Sequence, residues 1–350
     1  QHSRDMVPVL QKALDEQIRS LKDPRNRTER ELAFTITKLA VKELGRLKAS
    51  ESAPYVWEVV QSVEEPFLKG EAIIAIGKMG AREYAEELSL MLRNINFNYD
   101  NIEYQRENEI LAYALVLALE RLKDPAGYKP VFFASTGWYS GRSMVKERAD
   151  AALVTMVDDP TDQLSEIIVD ESDYNIKIHA LEAALQSNAP DENKAKVAAL
   201  GFIEGMRNTD KNKKERYALK SLRITSLNAI SSFTEKDPTV LPYMEEMIKG
   251  YRKDRIYDED EMLAVLNALG TFTGDAANDA AGILSDFLAY LTDRREGRPT
   301  DSLRIAKATI IALGETKSQM AMEELNMVII SSYWENSVRR LAEEALENLE

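Results

Sequence analysis

Few side chains in this sequence are of the kinds that make and break bonds. Its 350 residues include 2 histidines and no cysteine. That composition removes thiolate nucleophiles, Cys-ligated zinc, iron–sulfur clusters and disulfides, and leaves almost nothing for imidazole chemistry. His179 lies in Ile178-His179-Ala180-Leu181 and reads as a packed or surface histidine. Ser143-Met144-Val145-Lys146 has the spacing of an acylating S-x-x-K serine, but no K-T-G partner accompanies it. Neither a Gly-rich phosphate loop nor H-E-x-x-H occurs. The acidic stretches Asp170-Glu171-Ser172-Asp173 and Asp258-Glu259-Asp260-Glu261 lack the glycine and spacing of a calcium loop. Both precede helical patterns, where carboxylates are favoured by the helix dipole. The expectation is a protein with no catalytic residue, no metal site and no cofactor.

Residues suited to recognition are more plentiful. Trp138 and Tyr139 sit in the polar segment Ser135–Ser143, and Phe97, Tyr99 and Tyr104 in the Asn-rich stretch Arg93–Asn108. A rigid aromatic ring in a polar loop serves either as a binding anchor or as a lid folded over its own core. Trp57 and the Tyr333-Trp334 pair read as packing residues. A basic run from Arg207 to Arg223 includes Lys213 and Lys214, and Arg252, Lys253, Arg294 and Arg295 follow in later polar stretches. These cations form either an anion-binding strip or an ordinary solvated set.

The elements that must position these residues belong to a globular chain. Hydrophobic residues make up 44% and charged residues 30%, with a formal net charge of −14, so a sizeable core is available and disorder is excluded. That acidity argues against nucleic-acid binding, which needs a basic face. Apolar runs are short and interrupted by charge, so no membrane insertion is expected. The absence of cysteine and a chain beginning at Gln1 favour an extracytoplasmic location over the cytoplasm.

A recurrent mark organises the sequence. An alanine followed by an aliphatic residue appears at Ala40, Ala75, Ala118, Ala152, Ala184, Ala229, Ala268, Ala312 and Ala345, separated by 32 to 45 residues. Around the second of these, Leu68, Ala72, Ala75, Ile76 and Met79 share one helical face, with Gly77 and Gly80 closing the helix. Tyr84, Leu88, Met91, Leu92 and Ile95 repeat the pattern in the next helix. Asp124-Pro125, Asp159-Pro160 and Asp237-Pro238 mark turns within pairs, the Asp capping and the Pro opening the second helix. Strand signals are nearly absent. The spacing predicts an all-α chain of about eight helix pairs, a leading helix near 6–21 and a polar-backed closing helix near 335–349.

The strings KGEAIIAIGKMG (69–80) and LRIAKATIIALGETKSQMAMEEL (303–325) resemble HEAT repeats of the bacterial type, and the likeness extends over the whole chain. It implies a right-handed α-solenoid, with one array over 1–350. Its units would be 1–27, 28–65, 66–100, 101–140, 141–171, 172–210, 211–256, 257–298, 299–332 and 333–350. The DNA-glycosylase branch of this superfamily is disfavoured by the acidity, and the diiron hydroxylases by the missing His-Glu motifs. The role expected is a monomeric, non-enzymatic scaffold that binds a protein or peptide along its concave face or inter-repeat loop edge. The sites would be Trp138, Tyr139, Phe97, Tyr99, Tyr104, Lys213, Lys214, Arg252, Lys253, Arg294 and Arg295. Two alternatives are a chromophore carrier resembling bilin lyases and a structural part of an envelope assembly.

Overall fold

A computed structural model describes residues 4–98, 104–207, 212–254, 256–297 and 302–349. Among them the chain is all-α, with 18 helices in succession: α1 (Val7–Lys22), α2 (Arg27–Leu47), α3 (Ala53–Ser62), α4 (Pro66–Met79), α5 (Ala85–Phe97), α6 (Gln105–Leu122), α7 (Tyr128–Thr136), α8 (Val145–Met156), α9 (Thr161–Asp170), α10 (Tyr174–Gln186), α11 (Asp191–Arg207), α12 (Lys213–Ser232), α13 (Leu241–Asp254), α14 (Glu259–Gly270), α15 (Asp275–Gly297), α16 (Leu303–Thr316), α17 (Met322–Ile330) and α18 (Asn336–Glu347). From α2 to α17 they alternate as first and second members of repeated pairs, with α1 leading and α18 closing. Two compact units result: residues 1–163 with 186–188, and residues 164–185 with 189–350.

The helix starts are written in local chemistry. Asp124 Oδ1 accepts from the Ala126 amide at 3.0 Å and Asp237 Oδ1 from Thr239 at 3.0 Å. Asp159 does the same for Thr161 at 3.0 Å. Each Asp-Pro thus caps the turn opening a second helix. Both acidic stretches are likewise caps. Asp173 accepts from Asn175, and Asp258 forms a reciprocal capping box with Glu261.

Within the N-terminal unit the first helices α2, α4, α6 and α8 pack side by side in order, and α1, α3, α5 and α7 form the other layer. In the C-terminal unit α12, α14, α16 and α18 stack as first helices beside α11, α13, α15 and α17. A first helix is therefore covered on both flanks. The sequence placed Leu68, Ala72, Ala75, Ile76 and Met79 on one face of α4, yet the helix also buries Gly70, Ile73 and Gly77 and so is covered around most of its circumference. α18 is one-sided, burying Val338, Ala342 and Ala345 and exposing Arg340, Glu343, Glu344 and Glu347.

Contact between first helices rests on glycine against alanine. A Cβ added at Gly77 of α4 would lie 2.6 Å from Ala118 Cα of α6. At Gly270 of α14 it would lie 2.8 Å from Ala312 Cα, and at Gly314 of α16, 3.0 Å from Ala345 Cβ. Gly45 of α2 meets Ala75 in the same way, at 3.0 Å. Gly77 and Gly314 lie inside their helices, which run on to Met79 and Thr316. The expectation that Gly77 closes its helix is corrected: Gly80, at φ 71°, does so. Gly77 is there because two backbones touch. The repeat mark in α2 is also out of phase as read from sequence, since Gly45 sets the register at Glu43-Leu44-Gly45.

Part-buried and buried ion pairs also join neighbouring helices. Glu120 of α6, two residues beyond Ala118, pairs with Arg148 of α8. In the C-terminal unit Lys177 of α10 reaches Glu204 of α11 at 3.1 Å, with the lysine 3% exposed. Arg223 Nε of α12 donates to Glu261 Oε1 of α14 at 2.8 Å and its Nη1 to the Gly205 carbonyl at 3.0 Å. Glu261 thereby serves its own capping box and the neighbouring repeat together.

The Gly77→Ala substitution is expected to cost about 1–3 kcal/mol by overpacking, outweighing its helix-propensity gain. Gly282→Ala in α15, where the new Cβ meets only the end of Met320 at 3.7 Å, is expected to add about 0.5–1 kcal/mol. Denaturant melts of the two variants give the signs directly.

Candidate functional site: a groove between two first helices and an inter-pair loop

In the N-terminal unit, α4, α6 and the 137–144 segment enclose an open groove of about 1020 Å³. Its floor is low because Gly70 of α4 faces Ala114 of α6, where an added Cβ would stand 3.4 Å from the alanine Cβ. Two small residues at a helix crossing leave space above them. Apolar walls rise on either side, from Phe67 and Ile74 on α4 and Ile110 and Tyr113 on α6. Phe67 is 53% exposed and Met144, at the end of the loop, 51%. Arg106, Arg142, Glu71 and Glu109 supply charge.

The loop that completes the groove is tied at Trp138, Tyr139, Ser140 and Ser143. The Trp138 indole donates to the Ile95 carbonyl at 3.2 Å, and the Tyr139 hydroxyl to Asn96 Oδ1 at 2.6 Å. Asn96 in turn donates to the Pro130 carbonyl at 2.8 Å. The two rings stack at 4.5 Å. Glu109 Oε1 accepts from the Ser140 amide at 2.7 Å, and the Ser143 hydroxyl closes on the Ser140 carbonyl at 2.7 Å. Burial, and then the nearby Glu109 carboxylate, push the Tyr139 phenol above its ordinary pKa, so it stays a neutral donor. Met144 ends the loop at φ 60°, ψ 7°. A non-glycine residue held there stores roughly 1–3 kcal/mol of strain, which persists only when its surroundings over-determine it.

These placements revise the expected sites. Tyr139 is 3% exposed, so it is a buried tie and not a surface anchor, and Trp138 is half-buried in the role of a lid. The polar composition of Ser135–Ser143 suggested a free loop because its partners, Ile95 and Asn96, lie on another helix. Phe97 ends α5, 62% exposed, with its ring 5.8 Å from Phe133. Tyr104 precedes α6 at 48% exposure, and Tyr99 lies outside the described residues. Neither Phe97 nor Tyr104 lines the groove.

The basic residues were expected in loops and stand on helices. Lys213 and Lys214 open α12, both exposed, with the Lys213 ammonium 5.8 Å from the Tyr217 ring centroid. Arg252 and Lys253 form the last turn of α13, where the helix dipole favours cations. Arg252 lies over Tyr290 at 4.4 Å, and that tyrosine's hydroxyl donates to the Arg252 carbonyl at 3.2 Å. Arg294 and Arg295 fall within α15, their side chains outside the described residues. In the run from Arg207 to Arg223, Lys220 pairs with Asp258 and Asp260, Arg223 with Glu261, and Arg207 stacks on Tyr243. Much of that basic charge is spent between repeats.

Phe67, Arg106, Tyr113, Arg142 and Met144 were not singled out by sequence. One signal was present: Phe67 lies one residue before Leu68 and therefore off the buried stripe of α4, so a large aromatic there faces outward.

No family model matches the chain, and no curated protein is similar to it. Among solved structures, an engineered protein from the Northeast Structural Genomics Consortium aligns over 99% of this chain and 94% of its own, at 14% identity and a TM-score of 0.39. No described helix is long and apolar enough to cross a membrane.

Tyr139→Phe leaves Asn96 Oδ1 without its donor in a buried setting and is expected to cost about 1–3 kcal/mol of stability. Phe67→Ser removes an exposed ring and is expected to shift stability by less than about 0.5 kcal/mol. Paired thermal melts test this separation of a structural residue from a surface one.

Proposed function

We propose that the chain is a non-enzymatic interaction scaffold of HEAT-repeat type, and that the groove takes a peptide segment of a partner protein. One observation carries this reading: Phe67 and Met144 are exposed in a groove whose floor, Gly70 and Ala114, is buried and whose loop wall is hydrogen-bonded in place. Rigid apolar side chains ringed by polar ones are the anatomy of a binding hot spot. The expected loop edge contributes through residues 140–144, with Met144 in place of the aromatic pair. Arg106 and Arg142 suit carboxylates on the incoming segment. The HEAT-type assignment is supported by the register itself, in which the alanine of one repeat meets the glycine of the one before.

A second reading is favoured by one feature of the same groove. Its apolar walls and two carboxylates, Glu71 and Glu109, are what a bilin carrier of the lyase type would need, and its volume admits a tetrapyrrole.

Panning random displayed peptides on the protein tests both. Enriched sequences should carry apolar and acidic residues and lose about tenfold or more in affinity on Phe67→Ser/Met144→Ser. They should bind Phe97→Ser, exposed but outside the groove, as tightly as wild type. Clones that bind the double variant unchanged overturn the groove. An absorption band that appears on adding a bilin and is lost in the double variant moves the assignment to the chromophore carrier.

A further inference from the structure

The C-terminal unit carries another surface, on its second helices and independent of the groove reading. Met320, Met322 and Met327 are 56%, 38% and 46% exposed, and Ile330 follows at 73%. Folding does not need them there, because Leu325 and Val328 on the other side of α17 are fully buried and anchor it. Met320 lies against α15, its Cε 3.7 Å from where a Gly282 Cβ would be, and its carbonyl accepts from Ser285 Oγ at 3.4 Å. The exposed apolar side chains of residues 320–330 thus reach the line where α15 and α17 meet.

Carboxylates accompany them. Asp286 and Asp293, seven residues apart on α15, share a side of that helix. Glu323 and Glu324 stand on α17. Among the described residues none of the four makes an ion pair. The Glu324 carboxyl is held above its ordinary pKa, first by burial and then by Glu323, Asp293 and Asp286. The four therefore share one negative field, and among the described residues no cation pairs with them.

Exposed methionine adapts to the shape of whatever covers it, and an unrelieved cluster of carboxylates selects a cationic partner. A helix with an apolar stripe between basic flanks offers both at once. The same field repels an anionic membrane. We infer that the α15/α17 face docks a cationic amphipathic helix of a partner protein. Its apolar stripe covers Met320, Met327 and Ile330, and its lysines or arginines meet Asp286, Asp293, Glu323 and Glu324.

The probe is a short fluorescent peptide of leucine and lysine at helical spacing, titrated by anisotropy at physiological salt. A peptide of the same composition in scrambled order serves as control. Two local variants are compared with wild type, Met320→Ser/Met327→Ser/Ile330→Ser and Asp293→Asn/Glu323→Gln/Glu324→Gln. A third, Glu83→Gln/Glu86→Gln/Glu87→Gln, removes equal charge from the N-terminal unit. Both local variants should weaken the complex about tenfold or more, and the distant one less than about twofold. The scrambled peptide should bind wild type no better than the ordered peptide binds the local variants. Equal losses from the distant and local acid variants would mean bulk charge alone and overturn the proposal. Wild-type affinity in the apolar variant, or equal binding of the scrambled peptide, overturns it too. Should either local variant melt early, Glu323→Gln and Ile330→Ser singly, both at exposed side chains, carry the same comparison. Failure here leaves the groove untouched, because the panning test reports on a different unit.

Discussion

The approach of one first helix to the next, glycine on alanine, is the constraint on which the rest of each unit depends. Interhelical distance is set by the side chains at the contact, and at Gly77–Ala118 and Gly270–Ala312 there is only a methyl group between two backbones. Such a step leaves little freedom in rotation or register. Wherever it occurs, it brings the alanine of one first helix into line with the glycine of the one before, and so determines which residues elsewhere on those helices meet. The Gly70–Ala114 crossing, two turns earlier on α4 and one turn earlier on α6, follows from that alignment, and the groove above it follows in turn. At the α6–α8 and α12–α14 steps, where the small pair is absent, ion pairs join the neighbours instead. Such pairs are poor sources of net stability but costly to leave half-made, which suits a contact that must form in one register.

The second helices are tied by a different device, at their C-terminal ends. Trp138, just past α7, reaches back to the end of α5, and Trp334, past α17, donates to Thr292 near the end of α15 at 3.2 Å. In both cases a residue some 42 or 43 positions upstream accepts. Arg252 on Tyr290 performs a similar service between α13 and α15. A loop fastened in this way can hold a residue in a conformation it would not choose, and Met144 is the instance. The left-handed backbone there is sustained by the bonds at Trp138, Tyr139 and Ser140, and its result is an exposed methionine at the groove.

Much of this architecture was legible beforehand. Helix alternation, the Asp-Pro caps, the leading helix and the polar-backed α18 all depend on interactions within a few residues, and periodicity and turn chemistry report those faithfully. Loop lengths were less legible. Polar residues such as Lys249–Asp254 continue a helix as readily as they form a connection, and only the dipole and the neighbouring ring of Tyr290 decide. The sites were least legible. Trp138 and Tyr139 look like anchors in a polar loop until Ile95 and Asn96 are seen opposite them. Arg223 looks like one of a basic run, although it stands in phase with Leu219, Leu222 and Leu227 on the buried side of α12.

By itself the sequence determined that the chain is helical, where most of its helices start, which stripe of each is apolar, and that small residues recur at repeat spacing. Each of these is a property of neighbours along the chain, where propensity, capping and periodicity operate. Tertiary structure alone decided what the glycines are for, which charges are spent inside the molecule, and where apolar side chains remain uncovered. Gly77 could have ended a helix or admitted a neighbour, and Glu261 could have been a cap, a surface acid or a partner for Arg223. Those choices depend on residues some 40 positions away, whose identity local sequence does not record and whose distance is set only when one repeat closes on the next.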